Sequence, residues 1–534
     1  MILLFHNFLH FAKLLNKKYG THTESRILHL HKIFYSASHS AINRVTKSEM
    51  VNLKLYLLKK ELQILIVSIF FALFVFFARY VIESIPCLQY ALILFIVYIL
   101  VSFLRFVKVV SCIMIFIYGF ILFLCSRVFL SIFDSSILFE SDKYVFYTFA
   151  DTTVLEVLLI LSVSFVSVII GYLSSYAKSD FKAKDYTQFT SQASSYVYTD
   201  KQLQKILYYL ILLSAPGVLY KGMHDLMLIK QYGYLIMFME MPPAPLFARA
   251  SWGFFNIVFP MLLMFVPSRK QFKYYCVLFF LVSSVSFLKG SRSTLLAPIV
   301  YFIWFYYSFY STKKISVKNI ACFILFVAFV AQGILFLRDK DASFNLSISQ
   351  MLFALFYSQG ATYVLLGNYL DYSSDFANST RYSILFSLCT TFLWFFNPLY
   401  RKGQSEELVQ HTLSLDDQLM YAVNPELYLS GVGYGSSYIA ELYQLGGVLA
   451  LIIGSYLIGR IIKWYERNYN KSYTYVYFSW FIIPHLIWTS RGSYFPSPFL
   501  IMIGVLFYVT LRAVVVTWNK RKLKDAFFNK LIIF

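Results

Sequence analysis

The feature that most constrains this chain is a series of apolar runs, each close to the length that crosses a bilayer as a helix, about twenty residues. They occupy residues 62–82, 88–104, 109–130, 154–176, 206–223, 252–266, 274–288, 295–310, 320–337, 351–369, 382–400, 438–462, 473–488 and 495–518. Of the 534 residues, 59% are apolar and 14% charged, too little polar surface for a water-facing fold. The chain is read as an all-α, polytopic integral membrane protein with about fourteen transmembrane helices by the twenty-residue criterion. The run 252–266 is short, and the run 351–369 carries Gln359 and Gly360.

The formal charge is +21, yet no soluble domain offers a basic face for nucleic acid. The cations fall instead in clusters between apolar runs, the distribution that orients membrane helices. A basic leader over residues 1–60, with an interfacial helix, is placed in the cytoplasm. The membrane domain spans 61–518, and a basic cytoplasmic tail covers 519–534. Alternate loops carry Arg105 and Lys108, then Lys178, Lys182 and Lys184, then Arg269, Lys270 and Lys273, then Lys313, Lys314 and Lys318, then Lys463, Arg467 and Lys471. Both termini are therefore cytoplasmic, and the number of crossings is even. The stretch between Tyr369 and Arg381 fits poorly, because it holds Asp371 and Asp375. If 351–400 forms a re-entrant or interfacial hairpin, about twelve crossings remain and every other loop keeps its side.

Arginines on the outer side run against this bias and call for a ligand. The turn of Lys289, Gly290, Ser291, Arg292 and Ser293 lies on the outer side, as does that of Thr489, Ser490, Arg491, Gly492 and Ser493. A guanidinium presents a planar fork that matches phosphate oxygens, and small neighbours such as Ser291 and Ser490 let a large anion approach the backbone. Arg292 and Arg491 are read as converging on one diphosphate, with Arg401 in the large outer loop 401–436 as a further contact. Arg79 and Arg127 also sit at outer helix ends, where snorkelling to headgroups accounts for them.

Among titratable groups, His411 in the outer loop is a candidate general base. Glu441, just inside an outer helix N-terminus, is another; its alternative role is to complement the helix dipole. His485 beside Pro484 is as well explained by packing, and Asp416 with Asp417 by solvation in a loop. No Walker motif, HExxH or GxSxG occurs, so ATP-driven transport, zinc proteolysis and serine hydrolysis lack their signatures. The six cysteines form no CxxC or CxxH spacing, and no metal or other cofactor is implied.

The stretch Gly431-Val432-Gly433-Tyr434-Gly435-Ser436-Ser437-Tyr438-Ile439-Ala440-Glu441-Leu442-Tyr443-Gln444-Leu445-Gly446-Gly447 resembles the signature of Wzy-type O-antigen polymerases. The two arginine turns and the large loop before the signature sit where that family carries its own. The resemblance concerns mainly residues 288–493, and the leader is longer than the family leads one to expect. It implies a GT-C-like membrane glycosyltransferase of the bacterial inner membrane, acting on the periplasmic side. The enzyme would transfer a growing glycan from undecaprenyl diphosphate to the end sugar of an incoming lipid-linked repeat unit. Arg292 and Arg491 would hold the diphosphate, and His411 or Glu441 would deprotonate the acceptor. Membrane lipids and a Wzz-like chain-length regulator are the implied partners.

An O-antigen ligase would use the same donor, and the Gly431–Glu441 signature favours the polymerase. A flippase would place charge along a central cavity, whereas here the helix centres are nearly free of charge.

Overall fold

The structure is a computed structural model that describes residues 60–141, 147–174, 194–239, 242–289, 292–311, 347–375, 378–496 and 498–532, with isolated positions between 319 and 333. The leader before residue 60 and most of the apolar run 320–337 lie outside the described residues. Chain contacts separate Met1–Ile64 from Leu65–Phe534, and the helical bundle belongs to the second unit.

Among the described residues there is no strand, only an isolated bridge between Glu140 and Thr148. In chain order the helices are α1 (Lys60–Ile82), α2 (Ile85–Phe106), α3 (Cys112–Leu130), α4 (Asp151–Ser174), α5 (Ser194–Tyr232), α6 (Leu246–Met264), α7 (Arg269–Phe287) and α8 (Arg292–Phe309). Then follow α9 (Ile348–Gln359), α10 (Ala361–Tyr372), α11 (Ser383–Phe396), α12 (Glu406–His411), α13 (Leu415–Val423) and α14 (Pro425–Leu429). The last three are α15 (Tyr438–Asn468), α16 (Tyr473–Trp488) and α17 (Pro498–Ile532). The basic tail thus continues α17 as helix.

Serines set many of the helix starts. Ser84, Ser111 and Ser472 accept backbone N–H groups of the first turns of α2, α3 and α16, and Ser268 with Gln271 forms a full capping box on α7. Eight helices are long and apolar enough to cross a membrane among the described residues, with a shorter apolar stretch at Leu295–Phe309. The protein is polytopic, as its runs predict.

The bundle has two distinct ends. At one, Glu466 of α15 accepts the Ile113 N–H of α3 at 3.1 Å and the Tyr172 hydroxyl of α4 at 2.6 Å. Lys463 stacks on Tyr172, and Lys108 reaches the Tyr307 carbonyl, so these two cations lie at this end. The other end holds the connecting residues 131–141, 147–150, 233–239, 242–245, 397–437 and 489–496. Between the two ends α4 and α15 run at backbone contact. A Cβ on Gly171 would lie 2.0 Å from the Tyr456 carbonyl oxygen, and one on Gly459 would lie 2.1 Å from that of Val168. Small residues at such faces let membrane helices close together.

The run 351–369 is two short helices, α9 and α10, divided at Gly360. Both lie against the connection between α3 and α4. Tyr357 donates to the Glu140 carboxylate at 2.6 Å and Tyr363 to the Leu138 carbonyl at 3.1 Å. Further along, Asn368 accepts from Tyr147 and Asp371 from Thr153, each at 2.7 Å. All four partners lie at the end of the bundle opposite Glu466, so this pair of helices stays at one end. The run 382–400 likewise contains only 14 α-helical residues, those of α11.

Candidate functional site

The signature segment folds as a turn that delivers Glu441 to the first turn of α15. Gly435 adopts φ +78°, a left-handed conformation that suits glycine. Ser437 caps the helix, its hydroxyl accepting the Ile439 N–H at 3.4 Å. The same hydroxyl donates to the Ser490 carbonyl at 3.2 Å, which ties the start of α15 to the turn after α16.

Glu441 is 3% exposed, and its carboxylate is held from both sides. Ser436 donates to Oε1 at 2.9 Å and the Tyr494 backbone N–H to Oε2 at 2.9 Å, and the Ser493 side chain adds a further bond. A buried carboxylate with such partners is fixed in place. Tyr494 is itself anchored: its hydroxyl donates to the Gly454 carbonyl at 3.1 Å, and its own carbonyl accepts from His485 Nε2, also at 3.1 Å. That bond requires the hydrogen to sit on Nε2, which makes His485 a support for the turn.

Arg491 projects from the same turn. Its Nη1 donates to the Gln359 side-chain oxygen at 3.1 Å, and its guanidinium lies 5.9 Å from the Phe123 ring centre. Burial pulls the guanidinium below its usual pKa, and Tyr234 acts in the opposite sense. Among the described residues no carboxylate lies within ion-pair distance of it.

The structure does not group the remaining sequence candidates as one cluster. Arg292 opens α8, but its side chain, Gly290 and Ser291 lie outside the described residues. The neighbouring Lys289 is buried against the Asp225 carboxylate, which Lys221 also approaches at 2.7 Å. Arg401 is exposed at the end of the turn Pro398–Arg401. Ser490 is fully buried. His411 is exposed on α12, with Nδ1 2.9 Å from the Glu407 carbonyl oxygen, and among the described residues it touches neither Glu441 nor Arg491.

The acids of the loop 401–436 are more than solvated residues. Asp416 accepts from Ser414 and lies near enough to Glu441 to repel it. Asp417 accepts from Tyr428 at 3.0 Å. Burial, with the charge of Asp416 adding to it, pushes the Asp417 carboxyl up to about 7, although the Tyr428 and Ser414 hydroxyls work against the shift. The loop 401–436 is thereby brought beside the signature turn.

Sequence reasoning assigned Arg127 to the headgroups, but the side chain is only 5% exposed. Its Nη1 donates to the Glu140 carbonyl at 2.8 Å, and the guanidinium stacks 4.4 Å from the Tyr357 ring centre. Gln359 was passed over as a weakness in an apolar run. The polar pair Gln359–Gly360 inside that run was the signal available for this region.

Fold and site together define a multi-pass helical membrane protein that holds, at one end of its bundle, a fixed carboxylate and a guanidinium with no carboxylate partner among the described residues. The family profile for O-antigen polysaccharide polymerase Wzy matches residues 64–522, and the chain belongs to that family. It is a glycosyltransferase-like polymerase of polysaccharide biosynthesis, from a family that acts on lipid-linked oligosaccharide repeat units in membranes. No curated protein and no solved structure matches the chain.

Proposed function

We propose that this protein elongates a glycan held on undecaprenyl diphosphate by transferring it to the end sugar of an incoming lipid-linked repeat unit. The observation that carries the reading is the turn 490–494, which presents Arg491 without a carboxylate partner and fixes Glu441 through the Tyr494 amide. Glu441 takes the proton from the acceptor hydroxyl as its oxygen attacks the anomeric carbon of the donor. The bond from that carbon to the phosphate oxygen breaks, and undecaprenyl diphosphate leaves with the bonding pair. Arg491 stabilises the charge that develops on the leaving diphosphate. The energy comes from the donor ester itself, which suits a chain without nucleotide-binding motifs.

The site end of the bundle is periplasmic in this reading, and the end with Lys108, Lys463 and Glu466 is cytoplasmic, by the orientation of its cations. The placement of α9 and α10 at one end favours the hairpin alternative, with about twelve crossings once the run 320–337 is counted as one.

The experiment is glycan chain-length analysis in cells carrying Arg491→Lys in place of the wild-type protein. A surface lipid capped with a single repeat unit supports the polymerase. Loss of all surface glycan points to a ligase or flippase, and unchanged long chains overturn the role of Arg491.

A further inference from the structure

Helices α5 and α7 run side by side in the same direction: Tyr208 meets Tyr274 near their starts, and Asp225 meets Lys289 near their ends. Their outward faces carry the same order of residues. On α5 it is Lys201, Lys205, Tyr208 with Tyr209, then Leu212 with Leu213; on α7 it is Lys270, Lys273 with Tyr274, then Val277 and Leu281. The spacing of three or four residues keeps each series on one helix face. All of them are exposed except the half-buried Tyr208. The two series meet where the Tyr208 and Tyr274 hydroxyls lie 2.9 Å apart. Beside that pair is a cleft of about 350 Å3, lined by Tyr208, Lys270, Gln271, Tyr274 and Tyr275. It lies at the end of the bundle that holds Lys108, because Tyr310 donates to the Pro267 carbonyl before α7 and Lys108 reaches the carbonyl of Tyr307.

Among the described residues none of Lys201, Lys205, Lys270 and Lys273 has a carboxylate within ion-pair distance. The neighbouring Arg269 is instead held by the Tyr306 ring and hydroxyl. Each face thus passes from ammonium groups, through tyrosines, to exposed aliphatic side chains. That sequence matches an amphiphile met head first: anion, interface, hydrocarbon. A soluble polyanion has no use for the aliphatic part. A lone lysine that snorkels meets only the bulk surface, whereas here ring walls and two hydroxyls bound a space of the size that holds small ligands. Basic pockets between membrane helices on the cytoplasmic side suit phosphorylated headgroups.

We propose that the cleft between α5 and α7 binds one anionic glycerophospholipid of the cytoplasmic leaflet. Lys205 and Lys270 neutralise its phosphate, the Tyr208 and Tyr274 hydroxyls donate to its oxygens, and its acyl chains follow Leu212, Val277 and Leu281. The lipid bridges the two helices at one end, as the contact of Asp225 with Lys289 does at the other. The site lies at the opposite end of the bundle from Glu441 and Arg491, and it takes a resident lipid and not a substrate.

The test is native mass spectrometry of the full-length protein released from nanodiscs of phosphatidylglycerol and phosphatidylcholine in equal parts. The wild type should retain phosphatidylglycerol in preference to phosphatidylcholine. Lys205→Gln combined with Lys270→Gln should weaken that retention about thirtyfold. Tyr208→Phe combined with Tyr274→Phe keeps the charge and the rings and should weaken it about tenfold. Lys230→Gln, an exposed cation at the far end of α5, should retain the lipid as the wild type does. Melting temperature in phosphatidylcholine alone checks that each variant folds; should the lysine pair fail, the tyrosine pair decides. An equal loss in Lys230→Gln, or normal retention in the tyrosine pair, means attraction to the bulk surface and overturns the site. So does a wild type that retains no phosphatidylglycerol, or one that exchanges it for added farnesyl monophosphate, which would make the occupant a prenyl phosphate.

Discussion

The backbone N–H of Tyr494 donates to the Glu441 carboxylate across 53 positions of sequence, at 2.9 Å. A backbone donor cannot rotate away or change its protonation, so the carboxylate is held in one orientation relative to the turn that carries Arg491. The position of the proposed base is thus set in part by main chain, with the Ser436 side chain holding its other oxygen.

Replacement of Glu441 by Gln keeps the side-chain shape and removes the base. Long glycan chains should disappear while the protein remains in the membrane at its normal level. Ser436→Ala removes one supporting donor and should lower polymer output about tenfold, the scale of a hydrogen bond to a charged group. Both are read from gel profiles of surface glycan beside immunoblots of membrane fractions.

Arg491→Lys replaces a fork with a point charge. Activity should fall on the order of a hundredfold, the cost of losing one transition-state donor. Gln359→Leu, which frees the guanidinium from its positioning partner, should reduce output less than Arg491→Lys does. Initial rates of chain extension in isolated membranes decide the order.

His411 is exposed, and its Nδ1 is occupied by the Glu407 carbonyl. His411→Ala should leave the chain-length distribution close to wild type. Complete loss of polymer in this variant would move the base from Glu441 to the loop.

Asp417 gives a pH signature. Its carboxyl titrates near 7 in the fold against 3.8 for an ordinary aspartate. The folded form therefore binds more protons than the unfolded chain between these values, and stability declines as pH rises through that window. The unfolding temperature of the purified protein should fall between about pH 5 and about pH 7. Asp417→Asn should flatten that dependence.

Gly171→Val tests the closeness of α4 and α15. The added carbons meet the Tyr456 carbonyl, and backbone yields poorly, so a destabilisation of about 1–3 kcal/mol or more is expected. A thermal shift assay in detergent measures it.

Much of the helical content was legible in the apolar runs, because helix length and composition are local properties. The division of 351–369 was not, since two short helices at one end of a bundle and one crossing helix have the same hydropathy. Gln359 and Gly360 marked the break, and Asp371 with Asp375 suggested a hairpin over 351–400, but the setting of the first pair depends on Arg127 and Arg491, each more than a hundred residues away in the chain. Glu441 was legible as a residue type near a helix start. That its partner would be the amide of Tyr494 was not, because an amide belongs to every residue and carries no sequence signal. Arg127 looked like any arginine at a helix end, and only tertiary packing distinguishes a buried guanidinium from one among headgroups.

The bond from Ile113 to Glu466 closes over 353 positions. At a synthesis rate of about 5–20 residues per second, the α3 amide precedes its carboxylate cap by on the order of tens of seconds. During that interval the start of α3 has to be satisfied by water or lipid phosphates at the bilayer surface. The nascent protein is therefore a looser bundle than the finished one, and α15 fastens helices that were inserted long before it.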